Sequence, residues 1–153
     1  MPVTIVEQEI LIEDSSGSKI KIKRAGDYSC QMTFSGYLLT EESRRTNVKH
    51  LILTNEIVYL REQIGDLLES EEFQSLAEPR EHPGRRQFPN MSRFGEFRVG
   101  FQDNQFYIEL RNTKGVREIV FNDHENTLQS LFQALIEMEN WFPDFPFHAY
   151  YRD

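Results

Sequence analysis

Short runs in which apolar and polar side chains alternate, each ended by turn-forming residues, constrain the fold of this chain most strongly. In the run 19–23, Ile20 and Ile22 alternate with three lysines, which is the period of a strand with one face on a core and the other in water. A turn at 25–27 follows, and residues 28–34 then alternate in the same way. The two runs predict an antiparallel hairpin that covers a core.

Further strands are predicted over 3–13, 48–53, 94–101, 106–111 and 116–121, and the polar stretch 36–47 is interpreted as an exposed loop. Two segments instead have the 3.6-residue period of an amphipathic helix. The first runs from about 56 to 68, capped by Thr54 or Asn55. The second follows a cap at Asn122 or Asp123 and ends before Pro143. The apolar faces of the two helices are Ile57, Leu60, Ile64, Leu67 and Leu68, and Leu128, Leu131, Phe132, Leu135 and Ile136.

The order of these elements is the same twice. We therefore expect one α+β domain over 1–153, with antiparallel sheet or sheets and two packed amphipathic helices. The repeat-like halves lie roughly at 18–70 and 94–140, with an irregular, proline-containing connection at 71–93 and an aromatic C-terminal tail at 141–153. Two interpretations stay open: a pseudo-symmetric pair of strand-strand-strand-helix halves, or the general similarity of any two such apolar patterns.

Several kinds of site find no support in the sequence. A single cysteine, Cys30, cannot form an intramolecular disulfide or a cysteine-based zinc site. None of the four histidines lies three to five residues from another, and the short motifs of nucleotide-binding and hydrolase sites do not occur. We therefore expect no enzyme activity, no metal and no cofactor.

The expected location is the cytoplasm. The first fifteen residues contain four acidic side chains, which is unlike a secretory signal. No apolar run approaches the roughly 20 residues that span a bilayer, so we expect no membrane association.

Two basic segments stand out in a chain whose net charge is −8. The loop 80–98 contains the candidate phosphate- or anion-binding residues Arg80, Arg85, Arg86, Arg93 and Arg98, with aromatic side chains between them. Alternatively, these arginines are solvated or pair with the acidic residues just upstream. The second segment, Lys19 to Arg24, predicts a positive strand face, or lysines that protect a sheet edge from aggregation.

The C-terminal tail is rich in aromatic residues and must pack against something. It can pack on its own domain, or it can form a partner or oligomer interface, since aromatic side chains are favoured as interface anchors. The candidate interface residues are Trp141, Phe142, Phe145, Phe147, Tyr150 and Tyr151.

Small size, acidic charge, missing motifs and the aromatic tail together favour a non-catalytic binding protein that acts on a protein partner. Inhibitors, immunity or antidote proteins, phage counter-defence proteins and adaptors are of this type, and a homodimer is compatible with it. The alternative is a protein that binds single-stranded nucleic acid or a nucleotide phosphate through the loop 80–98 and Lys19 to Arg24.

Overall fold

Two runs of strands, each followed by a long helix, make up most of the chain, much as the periodicity predicts. The computed structural model describes residues 3–41, 44–77, 84–92 and 96–151, without the side chains of residues 76 and 77. The strands are β1 (Val3–Val6), β2 (Glu9–Glu13), β3 (Lys19–Gly26), β4 (Ser29–Tyr37), β5 (Arg45–Leu53), β6 (Arg85–Gln87), β7 (Glu96–Gln102), β8 (Gln105–Asn112) and β9 (Gly115–Val120). The helices are α1 (Thr54–Glu69), α2 (Glu71–Ala77), α3 (His124–Glu139) and a 3-10 helix at Phe147–Tyr150.

The strands form two antiparallel sheets whose strand order follows the chain, β1-β2-β3-β4-β5 and β6-β7-β8-β9. The sheets meet where Leu38 bridges to Ile119 and the Leu39 N–H donates to the Glu118 carbonyl at 2.9 Å. The predicted α+β class with antiparallel sheets and two sizeable helices is therefore confirmed. The order β3-β4-β5-α1 recurs as β7-β8-β9-α3, and pseudo-symmetry of the two halves stays a prediction.

The single strand predicted over 3–13 is wrong, because the chain turns back within it. Glu7 and Gln8 have φ angles of 36° and 59°, and Val6 pairs with Glu9 across them. Positive φ at both central residues is the two-residue hairpin turn that matches strand twist. The turn between β7 and β8, at Asp103 and Asn104, has the same character, with φ angles of 49° and 71°.

The predicted helix cap is confirmed for one of the two long helices. Asp123 caps α3, since its side chain accepts from the Asn126 N–H at 3.1 Å. The cap predicted at Thr54 or Asn55 is wrong, because α1 begins at Thr54 and its N-cap is Leu53, which makes no side-chain cap bond.

Two segments predicted as irregular contain regular structure. β4 and β5 extend into the predicted loop 36–47, up to Tyr37 and from Arg45. The connection 71–93 contains α2 and the short strand β6, whereas Pro79 and Pro83 lie outside the described residues. In the described part of the chain, no helix has the length and apolar character needed to cross a membrane.

One continuous core draws side chains from both sheets, from α1 and α3, and from the C-terminal tail. The two long helices pack against each other. Gly65 of α1 permits this approach, because a Cβ there would lie 3.0 Å from the ring of Phe132. The shared core brings the turn between β3 and β4 next to the C-terminal segment.

Candidate functional site

The C-terminal tail packs mainly on its own chain, yet part of it faces solvent. Trp141, Phe142 and Phe147 are buried in the core, and Phe145 and Tyr151 are half-buried. Tyr150 keeps 44% of its surface exposed. Of the six predicted interface residues, Tyr150 and the outer side of Phe145 are thus the most available to a partner.

An exposed aromatic patch surrounds these two side chains. We define it as Tyr28, Leu53, Phe145 and Tyr150. The Tyr28 ring lies 6.2 Å from that of Phe145, which stacks on Tyr150 at 5.5 Å and 15°. Tyr28 and Leu53 are 58% and 43% exposed. Neither is a predicted site residue. The alternation of 28–34 predicts that Tyr28 faces the core, whereas in the structure Tyr28 lies exposed in the turn before β4.

The aromatic patch lines an open groove of about 420 Å³. A smaller hollow of about 130 Å³, lined in part by Asp27 and Phe142, lies beside it and shares Tyr28 and Phe145. The exposed carboxylates Asp27 and Asp144 lie at these openings. The site therefore combines an apolar surface with an acidic rim.

Arg24 ties the aromatic tail to β3. Its Nη1 donates to the Trp141 carbonyl at 2.6 Å, and its guanidinium lies 4.6 Å from the centre of the Phe142 ring. The tail then turns tightly, since the Phe145 N–H donates to the Phe142 carbonyl at 3.1 Å. The sequence predicts Arg24 as part of a positive strand face, whereas in the structure it positions the aromatic patch.

The candidate anion-binding arginines are dispersed. Arg80 and Arg93 lie outside the described residues. Arg85 pairs with Glu118, with its Nη2 3.7 Å from a Glu109 oxygen. Arg98 lies within 4 Å of Glu109 and Glu96. Only the guanidinium of Arg86 is described without an acidic partner: it is exposed and donates to the Arg85 carbonyl at 3.1 Å.

The acidic partners described for Arg85 and Arg98 belong to the second sheet. The strand register places Arg98 beside Glu109, and Glu109 beside Glu118. Glu109 is buried and also accepts from Gln87 at 3.0 Å. Much of the positive charge of Arg85 and Arg98 is therefore balanced within the sheet.

The lysines of β3 lie on an exposed face, as the alternation predicts. Lys19, Lys21 and Lys23 are exposed, and Lys49 of β5 lies on the same face, since Thr33 is paired with both Lys21 and Lys49. We call Lys19, Lys21, Lys23 and Lys49 the lysine face. Within the described ranges, one of these lysines has an acidic partner, Lys21 at 3.8 Å from Glu9.

A second, polar groove of about 550 Å³ lies between α1, α3 and the end of the tail. Arg61 lies 3.2 Å from Glu139 and 4.6 Å from the centre of the Tyr151 ring, while the Tyr151 hydroxyl donates to Glu139. Burial, followed by the hydrogen bond to Glu139, raises the pKa of Tyr151 to about 12. These contacts hold the last described residue against the helices.

The described residues offer neither a reactive thiol nor a cluster of metal ligands. Burial raises the pKa of the Cys30 thiol to about 12, so the thiol stays protonated at neutral pH. Over the described residues, no three or more His, Cys, Asp or Glu side chains converge as a metal site would require.

No protein-family model matches this chain, and neither a curated protein nor a solved structure does. Its function is therefore argued from the geometry and charge of its own surfaces.

Proposed function

We propose that this chain is a non-catalytic binding protein that holds a protein partner on the aromatic patch, in the manner of an inhibitor, an immunity or antidote protein, a phage counter-defence protein or an adaptor. The observation that supports the proposal most is the exposure of Tyr28, Leu53 and Tyr150 around one groove. The same chain buries Trp141, Phe142 and Phe147. Exposed aromatic side chains beside a groove are typical anchors of protein interfaces.

The aromatic patch packs on buried side chains of the core, which favours tight binding. Phe145 contacts Phe147, with ring centroids 4.8 Å apart, and Phe147 is buried in the core. Tyr150 stacks on Phe145. Side chains that are already ordered before association lose less conformational entropy on binding, so more of the contact energy contributes to affinity.

The charge around the patch indicates the chemistry of the partner. Asp144 lines the groove, and Asp27 lines the adjoining hollow, where the guanidinium of Arg24 is engaged by the Trp141 carbonyl and the Phe142 ring. The whole chain has a net charge of −8. An acidic rim steers a basic surface toward the site and disfavours acidic partners. We therefore infer that the partner presents an apolar side chain flanked by lysine or arginine.

Selection of random peptides on the immobilised chain tests this proposal and requires no candidate partner. The expected consensus is an aromatic or large aliphatic residue with neighbouring basic residues. Binding of the selected peptides should be lost in Tyr150→Ser. It should be retained in Val116→Ser, a matched control because Val116 is 37% exposed on the second sheet. A consensus without basic residues, or one that binds Tyr150→Ser equally well, would count against the aromatic patch.

The lysine face supports a second candidate function, the binding of single-stranded nucleic acid or of a nucleotide phosphate. Three lysines follow one another on the exposed side of β3, and Arg86 is exposed on the other sheet. Of the arginines in the loop 80–98, Arg85 and Arg98 already have acidic partners. Lys19, Lys21 and Lys23 would therefore supply most of the affinity for a phosphate backbone.

Fluorescence polarisation with labelled single-stranded oligonucleotides, measured at low and high salt, distinguishes the two functions. The second candidate predicts binding that weakens with salt and is lost when Lys19, Lys21 and Lys23 are all replaced by Gln. Binding that is absent at low salt would eliminate it.

A further inference from the structure

The N-terminal strand β1 is an unprotected edge of the first sheet. Among the described residues it pairs with β2 alone, and its residues Val3, Ile5 and Val6 are 41%, 52% and 60% exposed. Natural edge strands usually carry a lysine, a proline or an inward charge that blocks pairing with another chain. The four residues of β1 are Val, Thr, Ile and Val, so none of these devices lies within the strand itself, and the nearest proline in the sequence is Pro2, directly before it.

The turn between β1 and β2 determines which backbone groups point away from the sheet. A two-residue turn closes with a hydrogen bond between the residues that flank it, here Val6 and Glu9. Hydrogen-bonded and non-hydrogen-bonded pairs alternate along an antiparallel ladder, so Thr4 also bonds to β2. The N–H and C=O groups of Val3 and Ile5 therefore point to the free edge.

A groove of about 290 Å³ runs beside this edge on the core side of the sheet, where Val3 and Ile5 face α3. None of its lining side chains is charged; on the helix side they are Asn126, Gln129, Ser130, Gln133 and Ala134. By contrast, the groove of about 420 Å³ is lined by one carboxylate, Asp144, and the groove of about 550 Å³ by three, Glu62, Asp66 and Glu69. In a two-fold symmetric interface a surface meets itself, so an uncharged lining avoids like-charge repulsion.

We propose that two copies of this chain associate through β1, with antiparallel strands and a two-fold axis at Thr4. Val3 of one copy then lies opposite Ile5 of the partner subunit, and these two pairs form four backbone hydrogen bonds. The two five-stranded sheets become one continuous sheet, with Val3 and Ile5 of both copies on the same face. A register shifted by one residue would place these side chains opposite residues of the other face, so the pleat disfavours it.

A cysteine at the axis tests this register. In the proposed dimer Thr4 faces Thr4 of the partner subunit as a non-hydrogen-bonded pair, with Cα atoms about 4.5 Å apart, which a disulfide can bridge. Thr4→Cys should therefore form a covalent dimer under mild oxidation. Val6→Cys is the matched control: Val6 is more exposed than Val3 and Ile5, but the two copies of it would lie about 13 Å apart. The native Cys30 is buried.

The mass of the particle in solution tests the association itself. Light scattering should give twice the 18.1 kDa of the chain at high concentration. Ile5→Lys should reduce this to a single chain with unchanged circular dichroism. Leu51→Lys should remain dimeric, since Leu51 is 60% exposed on β5, the opposite edge of the same sheet. A chain that stays monomeric at every concentration would overturn the proposal, and this is also the result expected if β1 pairs with a strand of another protein. Equal crosslinking of Thr4→Cys and Val6→Cys would overturn it as well.

Discussion

The ring of Tyr28 lies 6.2 Å from the ring of Phe145, with 55° between the two planes. This contact joins the turn between β3 and β4 to the C-terminal segment. Arg24, four residues before Tyr28, holds the same segment through the Trp141 carbonyl. The aromatic patch therefore exists only in the folded chain, where β3 and the tail meet.

Removal of the exposed Tyr150 ring should weaken partner binding while leaving the stability of the fold nearly unchanged. We predict that Tyr150→Ala weakens partner or peptide binding roughly tenfold or more, because aromatic anchors of interfaces carry a large share of the affinity. The same change should alter the free energy of unfolding by no more than about 0.5 kcal/mol, since Tyr150 is substantially exposed. Calorimetric titration with a selected peptide, together with urea unfolding, measures both quantities. A large loss of stability with unchanged affinity would assign Tyr150 a structural role instead.

Loss of the arginine anchor should loosen the tail. Arg24→Met removes the donor to the Trp141 carbonyl and the cation above the Phe142 ring. We predict a loss of about 1–3 kcal/mol in the free energy of unfolding, as expected when a partly buried carbonyl loses a charged donor. Lys23→Met, a change at an exposed neighbouring residue, should cost much less. Equal effects of the two substitutions in urea unfolding would show that the contact is unimportant.

The strands of this fold were largely predictable, because alternation has a physical cause that acts locally. Ile20 and Ile22 must face the core if the lysines between them are to stay in water. The alternation over 3–13 does not reveal the first hairpin, because its turn is made by Glu7 and Gln8. Neither Glu nor Gln is a residue type that indicates a positive φ, so the sequence pattern gives no signal for a turn there.

The candidate site was less predictable, because its members come from distant segments. Composition showed that the tail must pack, but not that Phe147 is buried whereas Tyr150 is exposed. It also could not show that Glu109 and Glu118 pair with Arg85, because strand register brings them together. Such pairings depend on tertiary structure rather than on local spacing.

Asp14 should make stability depend on pH in the acid range. Its carboxylate accepts from the Asn122 N–H at 2.7 Å and from the Asp123 N–H at 3.2 Å, which joins the first sheet to the start of α3. Burial alone would raise the pKa of Asp14, but hydrogen bonds from Ser16, Asn122 and Asp123 outweigh it and hold the pKa below its ordinary value of 3.8. The stabilisation is therefore complete above pH 3.8 and is lost as the pH falls through the lower folded-state pKa.

We predict that Asp14→Ala costs about 1–3 kcal/mol in the free energy of unfolding at neutral pH. The difference from the wild type should shrink in strong acid, where the native carboxyl is protonated as well. Urea unfolding over a pH series measures it, with the exposed Asp27→Ala as the control. A difference that stays constant down to the lowest pH would contradict the assigned role of the carboxylate.

His50 should add a second pH dependence nearer to neutrality. It lies on β5 with its ring 6.4 Å from that of Phe97, and burial lowers its pKa below the ordinary 6.5. The unfolded chain then binds a proton more readily than the folded chain, so stability is full above pH 6.5 and falls as the pH drops below it. His50→Phe should remove this part of the pH profile of thermal unfolding, whereas His148→Gln, at an exposed site, should leave it in place. An unchanged profile in His50→Phe would assign the dependence to other groups.

Photo-crosslinking from the aromatic patch tests the central claim most directly. The photoreactive amino acid p-benzoylphenylalanine would replace Tyr150 in one variant and Val116 in the control variant. Each variant would be irradiated in cells of the organism that produces the protein. We predict one prominent adduct from position 150, joined to a segment of the captured protein with an apolar side chain between basic residues, and no such adduct from position 116. If both positions captured the same proteins, or if position 150 captured none, the aromatic patch would not be a partner-binding surface.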